Sequence, residues 1–368
     1  MKIVLIGNYK LLNSKSMNLY SLLLKKVLKL NGHDVKLIYA KPILNKYDLK
    51  INFIKKWFGY IDNYIIFGLS LYRKTKGSDL VHICDQANSI LYFFLSSKKV
   101  ILTCHDLIHI NLLSKKSLKI STTGKIYQKL IVHYLKKIRT IITVSINTKK
   151  ELIKFTNIKK KNIEVIYNCL NQDFYKINQN NKKKFLLRKS INYRYLLHVG
   201  GNAWYKNREG LIKIFYSFLK FNKRKNYKLI LVGDKISPEL NKLIKSLNLE
   251  NKIINIINPP HKDLRNFYSC AYALIFPSIK EGFGWPIIEA QACGCPVFTT
   301  NKPPMNEIGL NSVFYLNINN TIKCAKFINS KLEHRNLIIK KGYKNLQRFN
   351  INLFTKKLLN IYESVLQK

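Results

Sequence analysis

The sequence has few acidic residues. It contains 19 Asp and Glu against 65 Lys and Arg in 368 residues, which gives a formal net charge of +46. A strongly basic balance is the first sign of a nucleic-acid-binding protein. However, only nine of the basic residues are arginine, the residue that nucleic-acid readers favour for forked contacts. No RNP, zinc-finger or helix-turn-helix motif is present in the sequence. The sequence therefore disfavours nucleic acid as a partner.

The lysines are spread along the whole chain together with many Asn and Ile residues, a pattern typical of compositional bias. Whatever its origin, such a charge attracts anionic surfaces. An anionic membrane surface therefore stays open as a partner. The alternative function is a polyanion- or nucleic-acid-binding protein without enzymatic activity.

Paired cysteines, a signal peptide and long apolar runs are also missing. The seven cysteines are odd in number and form no C-x-x-C motif, which is typical of reduced cysteines that pack in a core. They have no His or Cys neighbours at ligand spacing, so we expect no metal and no other cofactor. Residues 1–7 read as a β-strand rather than a signal peptide, and no run of 18 apolar residues exists. These features predict a cytoplasmic protein.

Strand-like and helical patterns alternate along the chain, which predicts parallel sheets covered by helices. Buried strands are expected at residues 2–6, 34–39, 80–84, 100–103, 140–144, 195–200, 227–233, 253–257 and 272–277. Residues 171–189 are rich in Asn and Lys and form the best candidate for a linker. We therefore predict two α/β domains, with the boundary near residue 175.

The most specific motif of the chain is residues 278–300, which read SIKEGFGWPIIEAQACGCPVFTT. A helix predicted from about Trp285 places Glu281 in a loop and Glu289 about one turn into the helix. Gly282 and Gly284 let the backbone approach a ligand closely, and the free N–H groups of a helix start suit a phosphate or a hydroxyl. Two carboxylates beside a nest of donors fit a diphosphate between two polyhydroxylated rings, which describes a nucleotide sugar.

The same segment closely resembles the E-x₇-E signature of retaining family-four glycosyltransferases (glycosyl transferases group 1), which have the GT-B fold. The resemblance covers most of the chain and is weakest over residues 40–78. It implies an α/β architecture of two Rossmann-like domains that face each other across a cleft. Residues 1–175 would form the acceptor domain and residues 176–352 the nucleotide-sugar donor domain, with a last helix at 353–368 that crosses back. It also implies catalysis without a metal and with retention of the anomeric configuration.

A second segment, residues 198–207, resembles the strand, loop and helix start that hold the donor diphosphate in this family. Many relatives place an arginine before the lysine of this loop, whereas here Arg208 follows Lys206. The resemblance assigns donor binding to a set of residues from both segments: Gly201, Asn202, Lys206, Arg208, Gly282, Phe283, Gly284 and Glu289.

The resemblance assigns catalysis to Glu281, Lys206 and His105. Glu281 would orient the hydroxyls of the donor sugar, Glu289 would hold the ribose, and Lys206 would neutralise the departing phosphate. His105 follows a predicted strand and would touch the sugar from the first domain. The predicted function is retaining transfer of a hexose from a UDP- or GDP-linked donor to a glycan or lipid-linked acceptor, in cell-envelope polysaccharide synthesis.

Other interpretations stay open at this point. Sugar-nucleotide epimerases and phosphorylases share the fold but match the signature less closely, and the intact Glu281 and Glu289 disfavour an inactive relative. Residues 53–72 are aromatic and basic at roughly helical spacing. This segment is either a membrane-surface helix that carries Trp57 and Phe58, on the inner face of the plasma membrane, or a helix that faces the core.

Overall fold

The chain forms two compact units in a computed structural model that describes residues 1–11, 15–46, 52–112, 121–222 and 226–367. One unit is Met1–Tyr167 together with Asn352–Lys368, and the other is Asn168–Ile351. The division therefore falls somewhat before the boundary predicted at residue 175. Each unit is built around one parallel β-sheet with its own hydrophobic core.

The first unit contains a six-stranded sheet in the order β2-β1-β3-β4-β5-β6, in which all neighbours are parallel. The central strands are buried along nearly their whole length, as expected for a sheet covered on both faces. The strands are β1 (Lys2–Ile6), β2 (Asp34–Ile38), β3 (Leu80–Ile83), β4 (Val100–Cys104), β5 (Thr140–Thr143) and β6 (Ile163–Val165).

Helices connect these strands and cover the sheet. They are α1 (Lys15–Leu30), α2 (Asn52–Tyr60), α3 (Phe67–Lys74), α4 (Ile108–Leu112), α5 (Thr122–Leu135) and α6 (Ile146–Thr156). A π-helical turn at Ile61–Ile66 joins α2 to α3, so that one continuous helical stretch runs from Asn52 to Lys74. A 3₁₀ segment, Gln86–Leu95, follows β3. Among the described residues, no helix is both long and apolar enough to span a bilayer.

The second unit contains another six-stranded parallel sheet, in the order β12-β11-β10-β7-β8-β9. This is the doubly wound arrangement in which the strand order reverses between the first and fourth strands, here β7 and β10. The strands are β7 (Arg194–Gly200), β8 (Tyr227–Gly233), β9 (Ile253–Ile257), β10 (Ala273–Phe276), β11 (Val297–Thr300) and β12 (Phe314–Leu316).

The helices of the second unit are α7 (Gln179–Arg188), α8 (Arg208–Phe221), α9 (Pro238–Ser246), α10 (His261–Cys270), α11 (Trp285–Ala292), α12 (Met305–Gly309), α13 (Thr321–Lys331) and α14 (Arg335–Asn345). The prediction of a linker over residues 171–189 is wrong for most of that stretch, because α7 occupies it. Asn178 caps α7 by accepting a bond from the backbone N–H of Asn181, and Phe185 is buried against Phe267. One apolar anchor and one cap make this polar run helical.

The last helix, α15 (Ile351–Gln367), packs against the first unit. The Tyr362 hydroxyl bonds to Nδ1 of His82 on β3, and Nε2 of His82 bonds to the Thr103 hydroxyl on β4 at 2.8 Å. Thr103 in turn bonds to the Tyr20 hydroxyl of α1 at 3.0 Å. All four side chains are buried, and burial lowers the pKa of His82 to about 3, so its imidazole is neutral. This polar chain ties both ends of the sequence to one sheet.

Truncation of Tyr362 is expected to destabilise the first unit. Tyr362→Ala removes a fully buried ring and leaves Nδ1 of His82 without its partner, so we expect a loss of about 3–5 kcal/mol in the free energy of unfolding. The matched control on the same helix is Leu353→Ala, whose side chain is 42% exposed, with an expected loss below about 1 kcal/mol. Urea denaturation measures both, and equal losses in the two variants would contradict this packing.

Candidate functional site

The candidate site lies where the strand order of the second sheet reverses. β7 and β10 are hydrogen-bonded neighbours, and the chain leaves their carboxyl ends toward opposite sides of the sheet. In doubly wound sheets, ligands bind in the crevice that opens at such a point. The loop of residues 201–207 follows β7, and the loop of residues 277–284 follows β10. These two loops carry most of the predicted donor-binding residues, and Arg208 and Glu289 lie on the helices that follow them, α8 and α11.

Gly201 begins the first loop in a position that excludes a side chain. A Cβ at Gly201 would lie 2.3 Å from Oδ2 of Asp234, which follows β8. The same Asp234 oxygen accepts a bond from the backbone N–H of Asn202 at 3.0 Å, and the Asn202 amide donates to the carbonyl of Lys235 at 2.6 Å. These bonds hold the loop after β7 against the first residues that follow β8.

Arg208, the first residue of α8, is 3% exposed and holds the loop after β7 in place through its hydrogen bonds. Its guanidinium donates to the carbonyls of Gly200 and Asp234 and to Oδ1 of Asn202, the last at 2.7 Å. Burial lowers the pKa of Arg208. In this arrangement Arg208 orders the backbone around the site, and its direct contact with a donor stays a prediction.

Lys206 and Glu281 form an ion pair that joins the two loops. Nζ of Lys206 lies 2.8 Å from Oε1 and 2.9 Å from Oε2 of Glu281. The side chains are 18% and 9% exposed, respectively. Backbone contacts hold the loops together beside the pair, because the Ile279 N–H donates to the carbonyl of Tyr205 at 2.7 Å. Two residues that are 75 positions apart in sequence therefore share one charged centre.

The second loop ends at the start of α11. Gly284 has φ of +102° and caps the helix without a side chain, which favours glycine there. Phe283 is buried, and its ring packs edge-on against Trp285 and Phe349. The side chain of Phe283 therefore anchors the loop in the core, and only its backbone is suited to face a ligand. The predicted role of Gly282 also concerns its backbone.

Glu289 lies in the second turn of α11 and keeps part of its surface exposed. The hydroxyl of Tyr268, a buried residue of α10, donates to Oε2 of Glu289 at 2.8 Å. Burial raises the pKa of Glu289 to about 7, although the bond from Tyr268 and the charge of Lys206 both oppose the rise. A carboxyl group with so perturbed a pKa beside a charged pair is typical of a functional site.

The sequence did not single out three residues that shape this site. Tyr268 orients Glu289, Asp234 holds the loop after β7, and His198 of β7 lies beneath Gly200. Nδ1 of His198 donates to the carbonyl of Ile275 at 3.0 Å, and Nε2 is buried without a partner among the described residues. Burial lowers the pKa of His198 to about 3, so Nε2 carries a lone pair. His198 is part of the motif at residues 198–207, which could have pointed to it. No sequence spacing reveals the contacts of Tyr268 and Asp234.

His105 belongs to the first unit. It follows β4, is 4% exposed, and donates from Nε2 to the carbonyl of Cys84 at 2.9 Å. Its backbone N–H donates to the Gln86 side chain at 2.8 Å, and the Tyr20 ring packs edge-on at 4.7 Å. The imidazole is therefore fixed at the carboxyl ends of β3 and β4. Its contact with a donor sugar stays a prediction.

The structure thus gathers all but one of the predicted site residues in the second unit, on the two loops and on α8 and α11. The described residues contain no group of three or more His, Cys, Asp or Glu side chains that could hold a metal ion. The arrangement combines the Lys206 ammonium, the carboxylates of Glu281 and Glu289 and the N-terminal end of α11.

The raised pKa of Glu289 gives a pH-dependent cost in stability. The folded-state pKa of about 7 lies above the ordinary value of 4.5, so the unfolded chain ionises first and stability is lost as the pH rises from about 4.5 through 7. Glu289→Gln removes this loss. We expect the variant to gain on the order of 2–3 kcal/mol over the native protein at pH 8 and almost nothing at pH 4. Thermal denaturation at both pH values measures the difference, and an unchanged pH dependence would contradict the burial of this carboxyl group.

Two family models match the chain in succession. The model described as Glycosyltransferase Family 4 matches residues 17–174, and the model described as Glycosyl transferases group 1 matches residues 179–344. The second model therefore contains both loops of the candidate site. Between them the models account for most of both units.

Two mannosyltransferases are among the similar proteins. The O-antigen chain mannosyltransferase RfbU of Salmonella typhimurium is 30% identical over 236 residues, which are 60% of this chain and 61% of that protein. The O-antigen chain mannosyltransferase B of Escherichia coli is 25% identical over 242 residues, which are 64% of this chain and 63% of that protein. The similarity thus spans somewhat less than two thirds of the length of each relative.

Solved structures match nearly the whole chain at low sequence identity. HepE of Anabaena, solved in complex with UDP and glucose, matches with a TM-score of 0.77 at 17% identity. The match covers 99% of this chain and 100% of the HepE chain. The sucrose-phosphate synthase from Thermosynechococcus elongatus has a TM-score of 0.76 at 17% identity, with 99% of both chains covered. These likenesses confirm the two-domain GT-B fold. The two family models, which together match residues 17–174 and 179–344, show that the chain belongs to the group 1, family-four glycosyltransferases.

Proposed function

We propose that this protein is a retaining glycosyltransferase that moves a hexose from a UDP- or GDP-linked donor to a glycan or lipid-linked acceptor during polysaccharide synthesis. The observation that carries the proposal is the ion pair of Lys206 with Glu281 at the reversal of strand order in the second sheet, with Glu289 close enough for the Lys206 charge to act on it. A nucleotide sugar has one group for each of them: a diphosphate, a sugar and a ribose.

Each residue has a distinct role in this proposal. Glu289 accepts bonds from the ribose hydroxyls through Oε1, because Oε2 is already bonded to Tyr268. Glu281 orients the sugar hydroxyls. Lys206 and the backbone N–H groups near Gly284 stabilise the negative charge that builds on the diphosphate. Pre-organised donors of this kind contribute strongly, and loss of one typically lowers kcat about 10²- to 10³-fold.

The reaction breaks the bond between C1 of the sugar and the phosphate oxygen, while the acceptor oxygen bonds to C1 on the same face. The acceptor proton passes to the departing diphosphate, so no enzymic nucleophile is needed and charge is balanced. We propose that no metal takes part, because Lys206 and the backbone donors supply the positive potential.

The relatives suggest which donor to try first. Mannose is the leading sugar, because the O-antigen mannosyltransferases are among the similar proteins. UDP-glucose is the second candidate, because HepE has also been solved with that ligand. O-antigen assembly in the relatives supports cell-envelope polysaccharide as the setting.

A thermal-shift panel of UDP, GDP, ADP, GDP-mannose and UDP-glucose, each with EDTA, tests the donor. A ligand at a hundred times its Kd stabilises the protein by about 2.7 kcal/mol, so we expect one nucleotide family to raise the Tm and Glu289→Ala to diminish the shift. With that donor, NMR of the product should show the anomeric configuration of the donor. An inverted product would contradict retention. No shift with any nucleotide, together with salt-sensitive DNA binding, would favour the polyanion-binding alternative.

We also propose that the first unit docks on an anionic membrane at the cytoplasmic face. The helical stretch from Asn52 to Lys74 exposes Ile65, Leu69 and Tyr72, whose spacing of four and three places them on one helix face. Gly68 lies against the Phe94 ring, which places the exposed Phe93 next to this face. We call Ile65, Leu69, Tyr72 and Phe93 the apolar patch.

Charge complementarity selects the lipid surface as the occupant of the apolar patch. Exposed cations lie near the apolar patch. They are Arg73 in the last turn of α3, Lys76 just after it, and Lys137 just after α5, whose ammonium lies 5.2 Å from the ring centre of Tyr134, a neighbour of Phe93. Trp57 and Phe58 are the residues that the sequence offered for a membrane-surface helix, and they are 43% exposed and only partly exposed, respectively. Leu69 and Tyr72 are 68% and 76% exposed. We therefore place the membrane contact at these residues, further along the helical stretch than Trp57 and Phe58.

Liposome flotation with vesicles rich in phosphatidylglycerol tests the apolar patch. Leu69→Asp with Tyr72→Asp should reduce binding at least tenfold, because it replaces two exposed apolar side chains, which would enter the lipid surface, by charges that anionic lipid repels. The control is Leu187→Asp, which changes a leucine of the second unit that is 79% exposed. Native-like flotation of the double variant would remove this surface from the proposal.

A further inference from the structure

The ion pair between Lys206 and Glu281 uses the atoms that the proposed donor needs. Lys206 directs its ammonium at both oxygens of Glu281, at 2.8 and 2.9 Å. The ammonium has three N–H groups, and two of them are used by Glu281, so full pairing of Lys206 with a diphosphate draws it away from the carboxylate. The pair and the donor therefore compete for the same hydrogen-bonding groups.

A nucleotide sugar satisfies both residues when it displaces the pair. Its diphosphate replaces Glu281 at Lys206, and its sugar hydroxyls replace Lys206 at Glu281. A nucleoside diphosphate satisfies only Lys206. It leaves the Glu281 carboxylate, whose side chain is 9% exposed, without a partner and close to an added negative charge. A carboxylate in that position is costly, because burial disfavours an unpaired charge and a like charge repels it.

We propose that Glu281 discriminates against the spent nucleotide and promotes its release by recapturing Lys206 once the sugar has been transferred. This inference rests on the proposed function and adds a second role for Glu281, which otherwise only orients the sugar. Only molecules in which Lys206 is not bound to Glu281 are ready to bind the nucleoside diphosphate. The apparent Kd is therefore the intrinsic Kd divided by the fraction of such molecules. The nucleotide sugar is penalised less, because its hydroxyls compensate Glu281.

The pair is only partly exposed, so its strength lies at the upper end of the range for accessible ion pairs. Such pairs contribute up to about 1 kcal/mol, which corresponds to roughly a fivefold change in an equilibrium constant. The nearby Tyr205 and Phe276 rings, each 5.6 Å from the ammonium, hold Lys206 over the site in either state. Removal of Glu281 should therefore free Lys206 for a phosphate without moving it away.

Isothermal titration calorimetry with GDP, UDP, GDP-mannose and UDP-glucose tests the inference on the full chain. Glu281→Gln should bind the nucleoside diphosphate of the active family about fivefold more tightly than the native protein. The same variant should bind the nucleotide sugar equally or more weakly, so that the ratio of the two Kd values changes. Nucleoside diphosphate binding that is unchanged or weaker in Glu281→Gln would overturn the inference.

Two controls separate this mechanism from a general effect of charge. Glu209→Gln removes a carboxylate from an exposed pair with Lys213 in the same unit, and it should leave all four Kd values unchanged. In a Lys206→Gln background, Glu281→Gln should no longer tighten binding, because the competed cation is gone. Equal tightening by Glu209→Gln, or tightening that persists without Lys206, would also overturn the inference.

Two further outcomes are distinguishable. If Glu281→Gln does not fold, Glu281→Asp keeps the charge on a shorter arm that reaches Lys206 less well, and it should tighten nucleoside diphosphate binding in the same direction by a smaller factor. A native protein that binds none of the four ligands contradicts the proposed function itself. A native protein that binds them, with no tightening in either variant at Glu281, contradicts only this inference.

Discussion

The candidate site depends on the pairing of β7 with β10. These strands are adjacent in the sheet but are separated in the chain by β8, β9 and their helices. Because the connections leave the two strands toward opposite faces, their loops diverge and open a crevice at the carboxyl edge. Lys206 arrives from one side and Glu281 from the other, and the bond between Ile279 and Tyr205 holds the loops at this distance. If the two strands were not neighbours, the charged centre would not exist.

The electrostatics of the site follow from this geometry. One cation serves two carboxylates that lie in different surroundings. Glu281 is paired directly with Lys206, whereas Glu289 accepts a bond from the Tyr268 hydroxyl and has its pKa raised to about 7 by burial, against the opposing charge of Lys206. Burying the Glu289 carboxylate lowers the stability of the fold. Proteins keep such destabilising groups mainly where function requires them. A ligand with a diphosphate and two sets of hydroxyls would relieve both residues at once.

The sequence was most informative where function depends on local order. Residues 278–300 revealed both carboxylates and the glycines, because a loop and a helix start within one segment determine their placement. The ion pair of Lys206 with Glu281 could not be predicted, because it depends on the pairing of strands far apart in the chain. Tyr268 was missed for the same reason. The stretch of residues 171–189 was misread as a linker, because the capping by Asn178 and the burial of Phe185 act on a segment whose composition is otherwise polar.

A crystal structure of the protein with an intact nucleotide sugar would test the central claim most directly. The account predicts the diphosphate beside Lys206 and the backbone at Gly284, the ribose on Glu289, and Glu281 turned from Lys206 to the sugar hydroxyls. A nucleotide bound away from the reversal between β7 and β10, or one bound there with the Lys206–Glu281 pair intact, would contradict it.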